Sequence, residues 1–440
     1  MNATTCNRIE AVSTGHAIGR TVFAVMSLSM LSLGSVPRVA AQATPSFQGV
    51  GSLVPAGSSS ASAVSADGLV VTGQATAPSP FLGAAVMWTQ AGGLVPLLLE
   101  PATVSDFGFS STGISADGSV IVGIGGNQQV PFGSLPWRWT AATGLETLDV
   151  SAAGFDMGSA FGISDDGVFI VGSLNDASGD VAFRWSSDGG FEVLGDLPGG
   201  FNGRQAHAAS INGSVIVGTG NGASGPQAFR WTSADGLVGL GTLPGHRFSG
   251  ANDVSIDGRV VVGTSSPNAG LEAFRWTAAG GMVGLGDLPG GTFVSAALAV
   301  SANGRVVAGG SSIATTAADR AMIWTPETGM IDLQVLLSDE LGLDLSGWNL
   351  FLATGVSADA TTIVGVGTAT NDQGGQFTQG WVATIPPFPV PADIDDDGNV
   401  NLADVAIMQN LFSLGASADL DADGDTDLAD HAVMAAELGP

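Results

Sequence analysis

The sequence predicts a mainly β fold: a seven-bladed β-propeller closed by a strand from its own N-terminus, followed by a small all-α module. Three observations predict it. A Ser-x-Asp-Gly turn before a β-branched run recurs seven times, starting at Ser65, Ser115, Ser164, Ser210, Ser255, Ser301 and Ser357. Glycine is abundant, 66 of 440 residues, with no collagen period, which suits many short strands joined by tight turns. The last repeat lacks its fourth strand, and the segment from Phe47 to Gly57 has the form of the missing one.

Composition bounds the rest. The chain is 45% hydrophobic, so it is not disordered despite a net charge of −28. That acidity argues against nucleic acid and against anionic membrane surfaces as partners. It has no lysine, no tyrosine and one cysteine, Cys6. Residues 1–43 read as a secretory signal peptide. Arg8 and Arg20 lie in the n-region, Thr21 to Val36 form the apolar stretch, and Ala41-Gln42-Ala43 offers a small-residue cleavage site. Its four serines and short length set it apart from a transmembrane anchor, and with no second long apolar run no membrane span is expected. The expected location is extracellular or at the cell surface. The mature chain would then hold no thiol.

Residues 44–385 carry the repeat, with a period of 45 to 50 residues stretched once near Leu341 to Phe351. Asp-Gly or Asn-Gly between β-branched runs is a strong hairpin signal. Asn212 and Asn303 replace the turn Asp, and Ala360 replaces the turn glycine. The second half of each unit is an aromatic strand, Ala182-Phe183-Arg184-Trp185, Ala228-Phe229-Arg230-Trp231 and Ala273-Phe274-Arg275-Trp276, with weaker copies at Trp88, Trp139 and Trp324. A Gly-rich tail follows, as in Gly284-Leu285-Gly286-Asp287-Leu288-Pro289-Gly290-Gly291. In the last copy Trp381 aligns with the Phe position. Four short strands per unit at this period is the pattern of a propeller blade, and an N-terminal strand completing the seventh would leave no exposed sheet edge.

These units resemble bacterial extracellular HAF-type repeats, whose core reads Ala-Phe-Arg-Trp with a Gly-Asp-Leu-Pro-Gly-Gly tail. The resemblance covers about three-quarters of the chain and implies a secreted protein more than any activity.

Phe183 and Trp185 are two apart on a strand and share a face, which suits packing between blades. A sugar-stacking platform is the functional alternative. Arg184, Arg138, Arg230 and Arg275 occupy a slot that is Met87, Ile323 or Val382 elsewhere. A packed position with the guanidinium paired to a neighbouring acid, such as a turn Asp, fits that alternation. No catalytic residue is assigned: no Ser-His-Asp arrangement accompanies the turn serines, and His207, His246 and His431 are scattered in the repeat. A pair of carboxylates for glycoside hydrolysis stays open, with nothing to single one out.

Residues 386–391 read as a Pro-rich linker and residues 392–440 as a calcium-binding module. This end, residues 391–440, holds twelve acidic groups and no arginine. Two loops have oxygen donors at positions 1, 3, 5, 9 and 12 and glycine at position 6, the spacing of an EF-hand calcium loop. The first offers Asp393, Asp395, Asp397, Asn399 through its carbonyl, Asn401 and Asp404. The second offers Asp419, Asp421, Asp423, Asp425, Asp427 and Asp430, so two Ca2+ ions are expected. Each loop leads into a short helix. Two loop-helix units with Asp at position 12 and no preceding helix resemble a dockerin type I module. That resemblance implies a cohesin-like partner, with Leu402, Ala403, Leu428 and Ala429 in the recognition surface.

The expected function is a secreted, non-catalytic binding or scaffold protein. Its propeller would bind an extracellular glycan or protein, and its dockerin-like module would attach it in a calcium-dependent way. The alternatives are a carbohydrate-active enzyme of polysaccharide catabolism, a glycoside hydrolase or lyase carrying a dockerin, and a structural cell-surface protein. An enzyme should show converging carboxylates in one cleft, and a binder an exposed aromatic strip.

Overall fold

The structure, a computed structural model, describes residues 44–77, 83–97, 108–126, 133–176, 179–267, 270–291, 293–313, 319–370 and 374–388. Among the described residues, seven four-stranded antiparallel sheets form the blades of a propeller. Their innermost strands, one per blade in chain order, are Ser59–Val64, Ser110–Ile114, Met157–Ile163, Phe201–Ala209, Phe248–Val254, Ser295–Val300 and Trp348–Val356. Six blades use four consecutive strands. Blade 7 uses three and is completed by Ser46–Gly49, which pairs Phe47 with Ala383 and Gly49 with Trp381. The closing strand is shorter than the segment from Phe47 to Gly57 that the sequence suggested, because the chain turns away at Gly51, where φ is +86°. Among the described residues no helix is long and apolar enough to cross a membrane.

The repeated turn is built by its serine and its acid. In blade 3, Ser164 Oγ donates to Asp166 Oδ1 at 2.5 Å and accepts from Phe169 N–H at 2.9 Å, while Asp166 Oδ1 also accepts from Val168 N–H. The same pattern joins Ser65 to Asp67, Ser115 to Asp117, Ser255 to Asp257, Ser301 to Asn303 and Ser357 to Asp359. All seven serines are at most 2% exposed, which makes them corner-pieces and not nucleophiles. The fourth turn residue must be left-handed. Gly167 has φ +72°, and Ala360, its substitute in blade 7, is held at φ +61°. The residues beside the serines also bond backbone to backbone from blade to blade: Ala66 N–H to Ala116 O, Ala116 to Asp165, Asp166 to Ile211, Ile211 to Ile256, Ile256 to Ala302, Ala302 to Ala358, and Ala358 back to Ala66. This circuit of seven hydrogen bonds girdles the axis.

Between blades, one slot decides the packing. Phe183, Phe229, Phe274, Met322, Trp137 and Trp381 are all fully buried, and each third strand brings its slot residue opposite a glycine of the second. The glycine is required for space: a Cβ on Gly172 would lie 1.9 Å from Ser159 O and 2.9 Å from the Phe183 ring. Phe183 packs with Val120 and Val122 of blade 2, and Trp381 with Ala308 and Ile323 of blade 6. Trp381 therefore does take the Phe position. The Trp137 and Trp381 indole N–H groups meet no acceptor among the described residues, a cost that phenylalanine in this slot avoids. The stretched repeat forms a short helical turn over Leu333–Glu340, whose Leu333, Leu336 and Leu337 join the blade 6–blade 7 core. Ile385 is buried in that core, and Phe388 packs against it, so the Pro-rich segment is anchored where it leaves the sheet.

Candidate functional site

The seven innermost strands enclose a cavity of about 220 Å³ on the ring axis, lined by residues from every blade. Each strand carries a β-bulge three residues before the turn serine. A bulge re-aims the extra residue's side chain. In four blades that side chain bonds a backbone carbonyl of the next blade: Thr112 to Ala160 O at 2.9 Å, His207 to Ala251 O at 2.7 Å, Asn252 to Ala297 O at 2.7 Å and Thr354 to Ala61 O at 2.9 Å.

Two positions break the repeat with charge. Two residues before the serine, six blades have Ala or Gly and blade 5 has Asp253; one residue after it, six have Ala or Ile and blade 3 has Asp165. Asp253 spends both oxygens on backbone, accepting Val254 N–H and Val300 N–H at 2.8 Å each, and so ties blade 5 to blade 6. Burial nevertheless pushes its pKa up to about 7, and the charge of Asp165 adds to the effect. Asp165 lines the cavity, and its carboxylate makes no hydrogen bond or ion pair with any described residue. Burial pushes it up to about 6, assisted by repulsion from Asp166. His207 must donate through Nδ1, since a carbonyl only accepts. Burial holds its pKa below the usual histidine range, so the neutral ring leaves Nε2 as an acceptor. Its edge meets the Phe161 ring at 5.6 Å between centroids.

The channel therefore gathers Asp165, His207, Asn252 and Asp253 on three consecutive blades, and no arginine lines it. Sequence reading missed this set. The available signal was departure from the repeat: Ser164-Asp165-Asp166-Gly167 where other units have Ala or Ile after the serine, and Asp253 where they have Ala or Gly.

The arginine slot departs from expectation in its partner. Arg184 lies over the Phe169 and Trp231 rings at 4.7 and 4.8 Å, bonds Glu192, and reaches Gly213 O of the next blade's turn. Arg230 and Arg275 reach the matching carbonyls of Gly258 and Gly304. Two of these turns carry Asn212 and Asn303 in place of an acid, and in the third Asp257 Oδ1 already accepts from Ser255 Oγ and Arg259 N–H, so the guanidinium takes the adjacent carbonyl. Phe183 is fully buried and cannot stack on a sugar, whereas Trp185 is half-buried and lines an outer groove of about 640 Å³ with Phe191 and Arg138.

The expected calcium ligands from Asp393 to Asp430, and Leu402, Ala403, Leu428 and Ala429, lie outside the described residues. Among the described residues no three of His, Cys, Asp and Glu form a metal-ligand grouping.

No family model matches the chain, and no curated protein matches it. Solved structures similar to it include a putative TolB from Agrobacterium tumefaciens, at 16% identity over 68% of this chain and 96% of that one, with a TM-score of 0.40. An oligogalacturonate lyase in complex with manganese is 11% identical over 79% and 97%, with a TM-score of 0.49. An oligogalacturonate lyase from Vibrio parahaemolyticus is 10% identical over 78% and 97%, with a TM-score of 0.47. Likeness at this level says nothing about substrate or activity, and the fold assignment rests on the strand pairing itself.

Proposed function

We propose that this is a secreted binding protein that does not turn its ligand over. Its HAF-type propeller, residues 44–385, recognises an extracellular ligand at the axial channel, and its dockerin-like module, residues 392–440, attaches it through two calcium ions. The observation that carries the reading is the commitment of the channel's polar groups. Asp253, His207 and Asn252 each hold the neighbouring blade in register, which suits a rigid, preformed recognition surface more than groups that must exchange protons and move. Two matching calcium loops in register support the attachment module. A glycoside hydrolase or lyase is the second reading, favoured by the meeting of Asp165 and Asp253 in one cavity.

The test uses the full chain. Calcium titration should find two sites in the wild type and none in an Asp393→Ala, Asp419→Ala double variant. Incubated with soluble and insoluble polysaccharides, the protein should be retained on a binding polymer and release no reducing ends or unsaturated products. Product release that Asp165→Asn abolishes would replace the binding reading with the enzymatic one, and absence of calcium sites would remove the attachment module.

A further inference from the structure

The hydrogen-bonding sense of the channel is one-sided. His207 uses its only proton on Ala251 O, and Asn252 uses one of its two amide N–H donors on Ala297 O. The Thr112 and Thr354 hydroxyls give their hydrogens to Ala160 O and Ala61 O. Apart from the second Asn252 N–H, what these groups have left to offer is lone pairs: imidazole Nε2, amide Oδ1 and hydroxyl oxygens. Asp253 and Asp165 add carboxylates, and that of Asp165 is enclosed with no partner among the described residues. Ser62 alone among the polar lining keeps a hydroxyl hydrogen to offer. No arginine balances the two acids there. The remaining wall is Ala, Val, Ile, Leu and Gly, with the Phe161 ring.

A ring of acceptors rejects anions outright and suits neutral sugars poorly, because a sugar hydroxyl needs donors as well as acceptors. It matches a group that only donates and carries positive charge. From this geometry we infer that the axial channel binds a primary alkylammonium group, with Asp165 as its charge partner, His207 Nε2 and Asn252 Oδ1 as further acceptors, and the aliphatic wall around the carbon stem. Such an ammonium has three N–H donors, and about 220 Å³ holds a short alkyl chain. A multidentate metal fits less well, since the described residues bring no three ligand side chains together. The inference rests on the channel being the ligand site of the propeller, as proposed above.

The test is calorimetry on the full chain at pH 8 with 1,5-diaminopentane, 1,5-pentanediol, tetramethylammonium and calcium. The diamine should bind once per chain, and the diol and tetramethylammonium should bind about tenfold more weakly or not at all. Asp165→Asn, nearly isosteric, should lose about tenfold or more in diamine affinity, while Asp188→Asn on the surface, with the same change of net charge, should lose nothing. An acetylated Gly-Lys-Gly amide separates the sources: tighter binding than the diamine points to a protein lysine, weaker binding to a free amine. Equal binding of diol and diamine, an unaffected Asp165→Asn, or calcium displacing the diamine from an Asp165-dependent site would overturn the inference. Retention on a polymer without diamine binding would sink it and leave the binding function standing. Diamine bound but recovered chemically altered would do the reverse.

Discussion

Two arcs of the ring, blades 3 to 5 and blades 6, 7, 1 and 2, share one strand plan and face the axis differently. The larger arc brings no titratable side chain to the channel, whereas the smaller brings Asp165, His207 and Asp253. Away from the axis the order reverses. Blades 3 to 5 are the ones with the unbroken Ala-Phe-Arg-Trp strand, and Met322 and Trp381 fill the aromatic slot in blades 6 and 7. The contrast separates two jobs within a repeat. The glycine, the slot residue and the turn serine recur as the frame of the blades, while the channel-facing positions vary from blade to blade, and four of the bulge residues there add their own bond to the next blade.

That separation can be broken by substitution. Gly172→Ala should have the largest effect, a loss of about 3 kcal/mol, because the new Cβ meets a backbone oxygen that cannot yield. Chemical denaturation of the purified variant measures it, and a loss below about 1 kcal/mol would mean the slot is softer than described. Ser164→Ala should follow at about 1–3 kcal/mol, since it leaves the Phe169 N–H unbonded inside a turn. Ser115→Ala in the other arc should cost the same, because Val120 N–H is held in the same way.

Channel acids should behave in the opposite sense. Asp165 and Asp253 bind their protons more tightly folded than unfolded. The stability this contributes is complete below the ordinary value of 3.8, and is lost as pH rises through about 6 and about 7. His207, the other titratable group lining the cavity, works against the trend below its ordinary value of 6.5, because burial disfavours a proton that the unfolded ring takes up, but it is one group against two. Thermal melting should therefore fall between pH 5 and pH 8. Asp165→Asn should flatten the slope and raise the melting temperature at pH 8 by roughly 1–3 °C. A melting profile with the same slope in that variant would show that the acid is solvated. The smallest effect is expected at Ala360→Gly, a gain of about 0.5–1 kcal/mol from relieving a left-handed alanine, read from the denaturation midpoint.

Much of the fold was legible because a repeat multiplies each signal. The Asp-Gly and Asn-Gly turns gave the blade count, and the missing last strand pointed to the segment that begins at Phe47. The channel was harder to see. Ser164-Asp165-Asp166-Gly167 reads as one more turn, and whether the residue after the serine faces water or an axis is decided only when seven blades meet. Asp253 hides the same way beside Val254 and Ser255. Arg184 does pair with a neighbouring acid, Glu192, but the turn Asp was the wrong candidate, because two of the turns the arginines reach carry Asn212 and Asn303 and the Asp257 oxygen of the third is already taken.

The closing strand also sets an order of events in biosynthesis. Ser46–Gly49 leaves the ribosome long before its partner Gln376–Thr384, which is translated more than three hundred residues later. Early blades can assemble during synthesis, but the N-terminal end must wait, unpaired, until nearly the whole propeller exists.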